Sequence, residues 1–368
     1  MERGSIHRSF LWPLAVTEVV DGTFGYIMDL RPEGYYDLSK IFNTRKCNFS
    51  SFRAATDACI AITNAFRLLH NEGYSYQDLN DGNFFVNPEN GKVLICDNDN
   101  VAPNGTNTGV LGTPRYMTPE IVAGCGKVLP NTQTDRYSLA TILFMILFMN
   151  HPLEGIRYFE RPCITDDFAQ KLYGSMPLFI FDPDDSSNRA YDKNSPKRWK
   201  LMPDYIKNLF LEAFSQSALK NPSRRLREYD WLKVLTRFRS EIVSCPCGND
   251  VFVKGDPAAT QCEDCRKPLP IRYSIKLPEY TMAAAEGSRV YRCQLGICNP
   301  DEALNPVALV VAKPDDPTVL GLKNMTGKTL TAQTPSGRIR QVMPKEVVPF
   351  KAGIRIDVFD KQISLLEN

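Results

Sequence analysis

Four cysteines stand in two close pairs, Cys245/Cys247 and Cys262/Cys265, with residues 248–261 between them. Two such knuckles of thiolates can close a tetrahedral Zn2+ site, so the spacing predicts a zinc ribbon over residues 244–270. Four protein ligands leave no open coordination position, and so short a segment lacks a core of its own. The expected metal is therefore structural. The competing reading of the four thiols is free or redox-active cysteines. The pairs also divide the chain by texture. Before them, apolar residues recur at helical spacing. After them, residues 271–368 carry Val-, Ile- and Thr-rich runs broken by Gly/Pro turns, which predicts a small all-β domain. A chain of 368 residues is in any case longer than one core usually grows.

The remaining cysteines are scattered, and Cys293 and Cys298 read as ordinary thiols, so no disulfide framework is expected and a reducing, cytoplasmic setting fits best. Forty-four basic residues against 42 acidic ones give +2, which weighs against a protein that grips nucleic acid or anionic lipid by bulk charge. The longest apolar run, Leu139–Met149, is too short for a bilayer, which takes roughly 20 residues. The opening MERGSIHRSF holds no apolar signal segment.

Along the first two thirds, FLWPLAVTEVV and TFGYIMDL read as β-runs joined at Asp21-Gly22, a strong hairpin signal. Phe52, Ala55, Cys59, Ile62, Phe66 and Leu69 predict a helix over 51–72, ended by Gly73. FFV and KVLIC predict two short strands around NPENG. The run Leu139–Met149 is apolar on every face and predicts a buried helix. Residues 163–200 read as a long polar loop around one apolar patch, LFIF, and 204–243 as two or three helices.

Between these elements lies Tyr76-Gln77-Asp78-Leu79-Asn80-Asp81-Gly82-Asn83, followed by a strand and Asp97. An Asp, an Asn five residues on and a second Asp at a strand end suit phosphoryl transfer. One carboxylate orients the acceptor hydroxyl, while an amide oxygen and a carboxylate hold Mg2+. Alone the pattern is weak, since Asp and Asn are common turn residues. Its neighbours strengthen it: Gly112-Thr113-Pro114-Arg115-Tyr116-Met117-Thr118-Pro119-Glu120, then Asp135 at the head of the buried helix, then Arg225 in NPSRRL. In order and spacing this set resembles a eukaryotic-like Ser/Thr protein kinase over roughly residues 9–243, with Tyr76-Gln77-Asp78 for His-Arg-Asp, Asp97-Asn98-Asp99 for Asp-Phe-Gly and Thr118-Pro119-Glu120 for Ala-Pro-Glu.

The resemblance implies a multidomain α+β chain. Residues 1–31 would be remnant small-lobe strands and hinge, 32–243 a mainly helical large lobe, 244–270 the ribbon and 271–368 the β domain. It implies ATP and Mg2+ as cofactors, a protein substrate, Asp78 as catalytic base, and Asn83 and Asp97 as Mg2+ ligands. Met28 would be the gatekeeper and Asp29, Leu30 and Arg31 the hinge that meets adenine. Thr113 would brace the catalytic loop, Glu120 and Arg225 would form a structural ion pair, and Asp135 would hold the catalytic-loop backbone. FLWPL, GYSYQDLNDGNFF, VLICDNDNVA, GTPRYMTPEIV and NHPLEG resemble one bacterial subfamily found in tellurite-resistance-type phosphorylation modules. Its usual companions are a von Willebrand factor A-domain protein and a PP2C-type phosphatase. Neither nucleic acid nor membrane is an expected partner.

The sequence also departs from the family. Gln77 replaces an Arg that receives an activation-loop phosphate, so no dependence on such phosphorylation is expected. Asn80 replaces a Lys, Asn98 a Phe, and Asp99 a Gly, the last read as a turn residue in preference to a metal ligand. No G-x-G-x-x-G and no lysine precede the hinge; the first lysine is Lys40. A start downstream of the true one is the favoured explanation. Strands supplied by another chain and a reduced pseudokinase are the competing ones. The last domain resembles the second half of a forkhead-associated domain, with Ser288-Arg289 as a remnant of its phosphate site. A plain packing module is the preferred reading. His7, His70 and His151 show no ligand spacing: His70 reads as a helix-end residue and His151 as a loop residue. Trp12, Trp199 and Trp231 read as core or seam residues.

Overall fold

The computed structural model describes residues 4–44, 47–106, 109, 112–124, 128–161, 163–253, 259–297 and 299–368. The chain divides into two compact units, Met1–Val234 and Leu235–Asn368.

In the first unit, β1 (Ala15–Val16) and β2 (Tyr26–Ile27) pair antiparallel. The turn has φ of 51° at Asp21 and 77° at Gly22, the two positive values a type I′ hairpin requires. The paired strands are only two residues long, far shorter than their apolar runs suggested. Val19, Val20, Phe24 and Ile27 stay 58–68% exposed. β3 (Tyr36–Asp37) leads into α1 (Leu38–Asn43), capped by the Asp37 side chain. Next comes α2 (Phe52–Asn71), one residue inside the expected bounds at each end, with Ser51 Oγ accepting from Ala54 N at 3.0 Å. β4 (Tyr74–Ser75), β5 (Phe84–Val86), β6 (Val93–Ile95) and β7 (Ala102–Pro103) form the sheets β3-β5-β6 and β4-β7. Gly91, in the turn between β5 and β6, lies against α2: a Cβ there would stand 2.3 Å from Ala54 O.

α3 (Pro119–Gly124) precedes α4 (Thr132–Phe148), which a capping box between Asn131 and Thr134 opens. α4 is buried on nearly every face, as its all-round apolar sequence predicts. Residues 163–200 are not the simple loop expected. After α5 (Ile156–Phe159) they hold α6 (Asp166–Ala169), a π-turn at Gln170–Ser175 and α7 (Asn194–Leu201). Their patch Leu178–Phe181 supplies the apolar anchor. Phe179 packs edge-on to Phe144 at 5.4 Å, and Phe181 stacks on Trp199 at 4.3 Å. α8 (Asp204–Ala213), α9 (Gln216–Lys220) and α10 (Glu228–Ser240) follow, and Trp231 is fully buried beside Phe210.

The second unit begins with the C-terminal end of α10. β8 (Ile242–Ser244) and β9 (Asp250–Phe252) form a hairpin with the first cysteine pair in its turn. The hairpin expected between the two pairs falls partly on residues 254–258, outside the described residues, as does Cys298. The strands β10 (Tyr273–Lys276), β11 (Thr281–Ala284), β12 (Arg289–Tyr291), β13 (Pro306–Lys313), β14 (Asp316–Asn324), β15 (Leu330–Gln333), β16 (Ile339–Val342), β17 (Val347–Pro349), β18 (Arg355–Val358) and β19 (Lys361–Glu367) make two antiparallel sheets. One is ordered β11-β10-β19-β18-β15-β16, the other β12-β13-β14-β17. Ile275, Ile356 and Ile363 of the first share one core with Val290, Val310 and Leu322 of the second, which makes a β-sandwich. Among the described residues no helix is long and apolar enough to cross a membrane.

Candidate active site and metal centre

The loop after β4 carries the first candidate group. Ser75 ends the strand, and Asp81–Asn83 close the loop in a 3-10 turn capped by Asn80, whose Oδ1 accepts from Gly82 N at 3.0 Å. Asn83 is buried, and its Nδ2 donates to Asp78 O at 2.9 Å. This bond ties two of the three expected site residues together. Asp78 Oδ1 is buried, and among the described residues it meets no hydrogen-bond donor. Gly112, at φ 88°, passes close by: a Cβ there would lie 3.6 Å from Asp78 Oδ1. Thr113 is exposed, and its carbonyl accepts from Tyr116 N at 2.8 Å.

Asp97 follows β6 in the left-handed region, φ 54° and ψ 46°, and heads the 3-10 turn Asn98–Asn100. Its pKa is raised above the ordinary carboxylate value, first by partial burial and then by the negative charges of Asp99 and Asp78. Three carboxylates of one sign therefore share this corner. Tyr76 stands where the family has His, and its hydroxyl donates to Cys96 O, which links the catalytic loop to the residue before Asp97. Of the expected hinge, Met28 is half-buried and Asp29, Leu30 and Arg31 are exposed; the Arg31 guanidinium stacks 4.6 Å from the centre of the Phe85 ring.

Behind the loop the charges are matched. Asp135 is 1% exposed and accepts from Tyr76 N at 2.7 Å and Gln77 N at 3.1 Å. Its Oδ2 also lies 3.0 Å from His70 Nε2, while His70 Nδ1 lies 2.9 Å from Glu228 Oε1. Glu228 is met by Arg136 as well, at 2.8 and 3.3 Å. A ring with a carboxylate at each nitrogen donates from both, so His70 is an imidazolium. Burial alone would discharge it, but the bonds to Asp135 and Glu228 win, and its pKa is raised to about 9. Glu228 is correspondingly lowered to about 2 by His70 and Arg136 against its own burial. His70 is thus more than the helix-end residue expected. One signal was available: it sits four residues after Phe66, on the buried face of α2.

Gln77, at φ 72°, donates from Nε2 to Thr106 O at 2.7 Å, so an amide holds the start of the activation segment. Glu120 and Arg225 form the expected ion pair, bidentate at 2.8 and 2.6 Å. Further on, Arg115 pairs with Glu154 at 2.6 and 2.9 Å, and Tyr173 donates to Glu154 at 2.7 Å. His151, read as a loop residue, is fully buried beside them. Burial lowers its pKa to about 4, so the neutral ring donates from Nε2 to Arg115 O at 2.9 Å and accepts from Leu153 N at 3.1 Å.

Matched charges thus lie behind this loop, and among the described residues the carboxylates of Asp78, Asp97 and Asp99 lie in front of it. A family profile for the protein kinase domain matches residues 23–209, a little over half of the chain. The chain belongs to the protein kinase family. The relatives it resembles include the serine/threonine-protein kinase YPK3 of Saccharomyces cerevisiae, 28% identical over 167 residues, covering 41% of this chain and 30% of that protein. Serine/threonine-protein kinase Nek5 of Homo sapiens is 25% identical over 185 residues, covering 46% of this chain and 26% of that protein. Serine/threonine-protein kinase Sgk1 of Xenopus tropicalis is 29% identical over 91 residues, or 24% and 21% of the two chains. The chain thus spans less than a third of the length of these relatives.

The second candidate centre is the cysteine cluster. The Sγ atoms of Cys245, Cys247, Cys262 and Cys265 lie within 4.8 Å of one another, with Cys245–Cys265 and Cys247–Cys262 both at 3.6 Å. Tetrahedral Zn–S bonds of about 2.3 Å place sulfurs roughly 3.8 Å apart, so the four thiols fit Zn2+. The backbone N–H of Asn249 helps lower the Cys247 thiol, while the neighbouring thiols help raise Cys245, so the negative charge of the cluster settles on Cys247 first. Cys245 and Cys262 pack with Val251, Val253 and Leu269, a core too small to stand without a staple.

Proposed function

We propose that the chain is the body of a Ser/Thr protein kinase that moves the γ-phosphoryl of ATP to protein hydroxyls. The observation that carries this is the shared corner of Asp78, Asp97 and Asp99, where partial burial and then like charges raise the pKa of Asp97 while Asn83 holds the loop. Asn83 and Asp97 would hold Mg2+, which neutralises phosphate charge when bound with the nucleotide. Asp78 takes up the acceptor hydroxyl and its proton. Met28 and Asp29–Arg31 face adenine, and Thr113 braces the loop at Gly112. Gln77 and its bond to Thr106 O take the place of a phosphate-dependent contact, so activity needs no activation-loop phosphorylation. The ribbon of 244–270 holds a structural Zn2+, and the sandwich of 271–368 is a forkhead-associated-like packing module. Ser288 Oγ accepts from Ala285 N at 3.3 Å, a turn contact, which favours packing over phosphopeptide binding.

By the subfamily motifs, the kinase works in the cytoplasm within a bacterial tellurite-resistance-type module, beside a von Willebrand factor A-domain protein and a PP2C-type phosphatase. In this reading the exposed hairpin β1-β2 is the hinge-side edge of a small lobe whose Gly-rich loop and lysine are not among the residues before Met28. The second reading is a pseudokinase scaffold. Calorimetry separates them. The 368-residue chain is expected to bind Mg-ATP weakly or not at all, and micromolar binding would sink the small-lobe argument. In a form extended by an upstream Gly-rich loop and lysine strand, labelled phosphate transfer is expected and Asp97→Ala abolishes it. No transfer by that form would leave the scaffold.

A further inference from the structure

Asn98 stands where kinases carry a phenylalanine, directly after Asp97, and is 8% exposed. Its Nδ2 lies 2.8 Å from Leu11 O and 3.2 Å from Ile95 O. Both partners are carbonyls and can only accept, so the amide nitrogen faces them and uses its two N–H groups on two separate segments. Leu11 belongs to a short stretch that runs parallel beside β6. Ile95 N donates to Ser9 O at 2.6 Å, and Leu11 N donates to Ile95 O at 2.8 Å. Phe10 between them is 4% exposed and packs edge-on to Phe66 of α2. This stretch is therefore built into the large lobe, and Asn98 is tied to it one peptide away from Asp97.

A phenylalanine in this place holds by packing alone and sets active and inactive states by where it packs. An amide leaving the same place would give up two bonds and take the side-chain donor away from Leu11 O, a larger cost than moving an apolar ring. We infer that Asn98 is a positioning residue: a polar clamp that keeps Asp97 turned toward Asp78 and joins the metal corner to residues 9–12, so that this corner has one resting geometry. The inference rests on the metal-site reading above.

The test titrates Mn2+ alone into the full chain and follows paramagnetic broadening of catalytic-loop amide signals. The parent should show broadening that Asp97→Ala removes. Asn98→Leu, which keeps the branching of the side chain and removes the donors, should weaken Mn2+ binding about tenfold, the worth of one to two hydrogen bonds. It should also speed hydrogen exchange at the Leu11 and Ile95 amides. Asn98→Gln keeps both donors and should lose less than Asn98→Leu. Affinity within twofold of the parent in Asn98→Leu, or equal losses in both variants, would overturn the clamp while leaving the metal site intact. Broadening in the parent that persists in Asp97→Ala, or none at all, would overturn the metal-site reading and the clamp with it.

Discussion

Two groups of charges flank the catalytic loop, and they are built on opposite plans. Behind the loop, Asp135 and Glu228 meet His70, Arg136 and the backbone N–H groups of Tyr76 and Gln77. In front of it, the charges of Asp99 and Asp78 act on Asp97, whose pKa is raised first by partial burial and then by them. Where a carboxylate is fully met by fixed donors, it serves the framework. Where carboxylates gather with no cation beside them among the described residues, the proposed function has the positive charge arrive with a ligand. The four thiols of the ribbon follow the second plan in a softer donor set.

The largest effect expected from this contrast is at the ribbon. Metal analysis should find one zinc per chain. Stripping it with a chelator should unfold the segment around β8 and β9, since structural zinc contributes on the order of 10 kcal/mol to such sites. Zinc-free protein with freely titratable thiols and an intact ribbon would break the parallel. Next in size, Asp135→Ala should cost about 3–5 kcal/mol in denaturant unfolding of the kinase unit, because it leaves the Nε2–H of a buried imidazolium and two backbone donors unmet. A cost under 1 kcal/mol would show that the network is not framework.

The pH dependence comes third. His70 titrates near 6.5 when unfolded and about 9 when folded, so its contribution is complete below about pH 6.5 and is lost as pH rises through 9. The decline should amount to roughly 3 kcal/mol, and Glu228→Gln should shrink it. A flat profile from pH 6.5 to 9.5 would contradict the imidazolium. The smallest effect has the opposite sign. Asp97→Asn removes like-charge repulsion and should raise the unfolding temperature by roughly 1–2 °C.

Much of this contrast was legible in the sequence, but unevenly. Asp78, Asn83 and Asp97 declare themselves because they fall within one short stretch of loop and strand. α2 ended within a residue of the expected bounds because Ser51 caps it and Gly73 can take φ of 81°. His70 and Glu228 were missed because 158 positions separate them, and only the fold brings them together. Residues 163–200 looked like loop because their polar composition hid short helices held by four apolar residues, Leu178–Phe181. The β-runs near the start were correct in kind but not in extent, since a strand lengthens only where a neighbour pairs with it.

The central claim is that the unmatched carboxylates form a cation site of the kinase type. Thermal unfolding with and without Mg2+ tests it on the chain as it stands. The account predicts that millimolar Mg2+ raises the unfolding temperature of the parent kinase unit, and that Asp97→Asn starts slightly higher and no longer responds. Equal Mg2+ responses in the two proteins, or a drop in stability on Asp97→Asn without Mg2+, would contradict it.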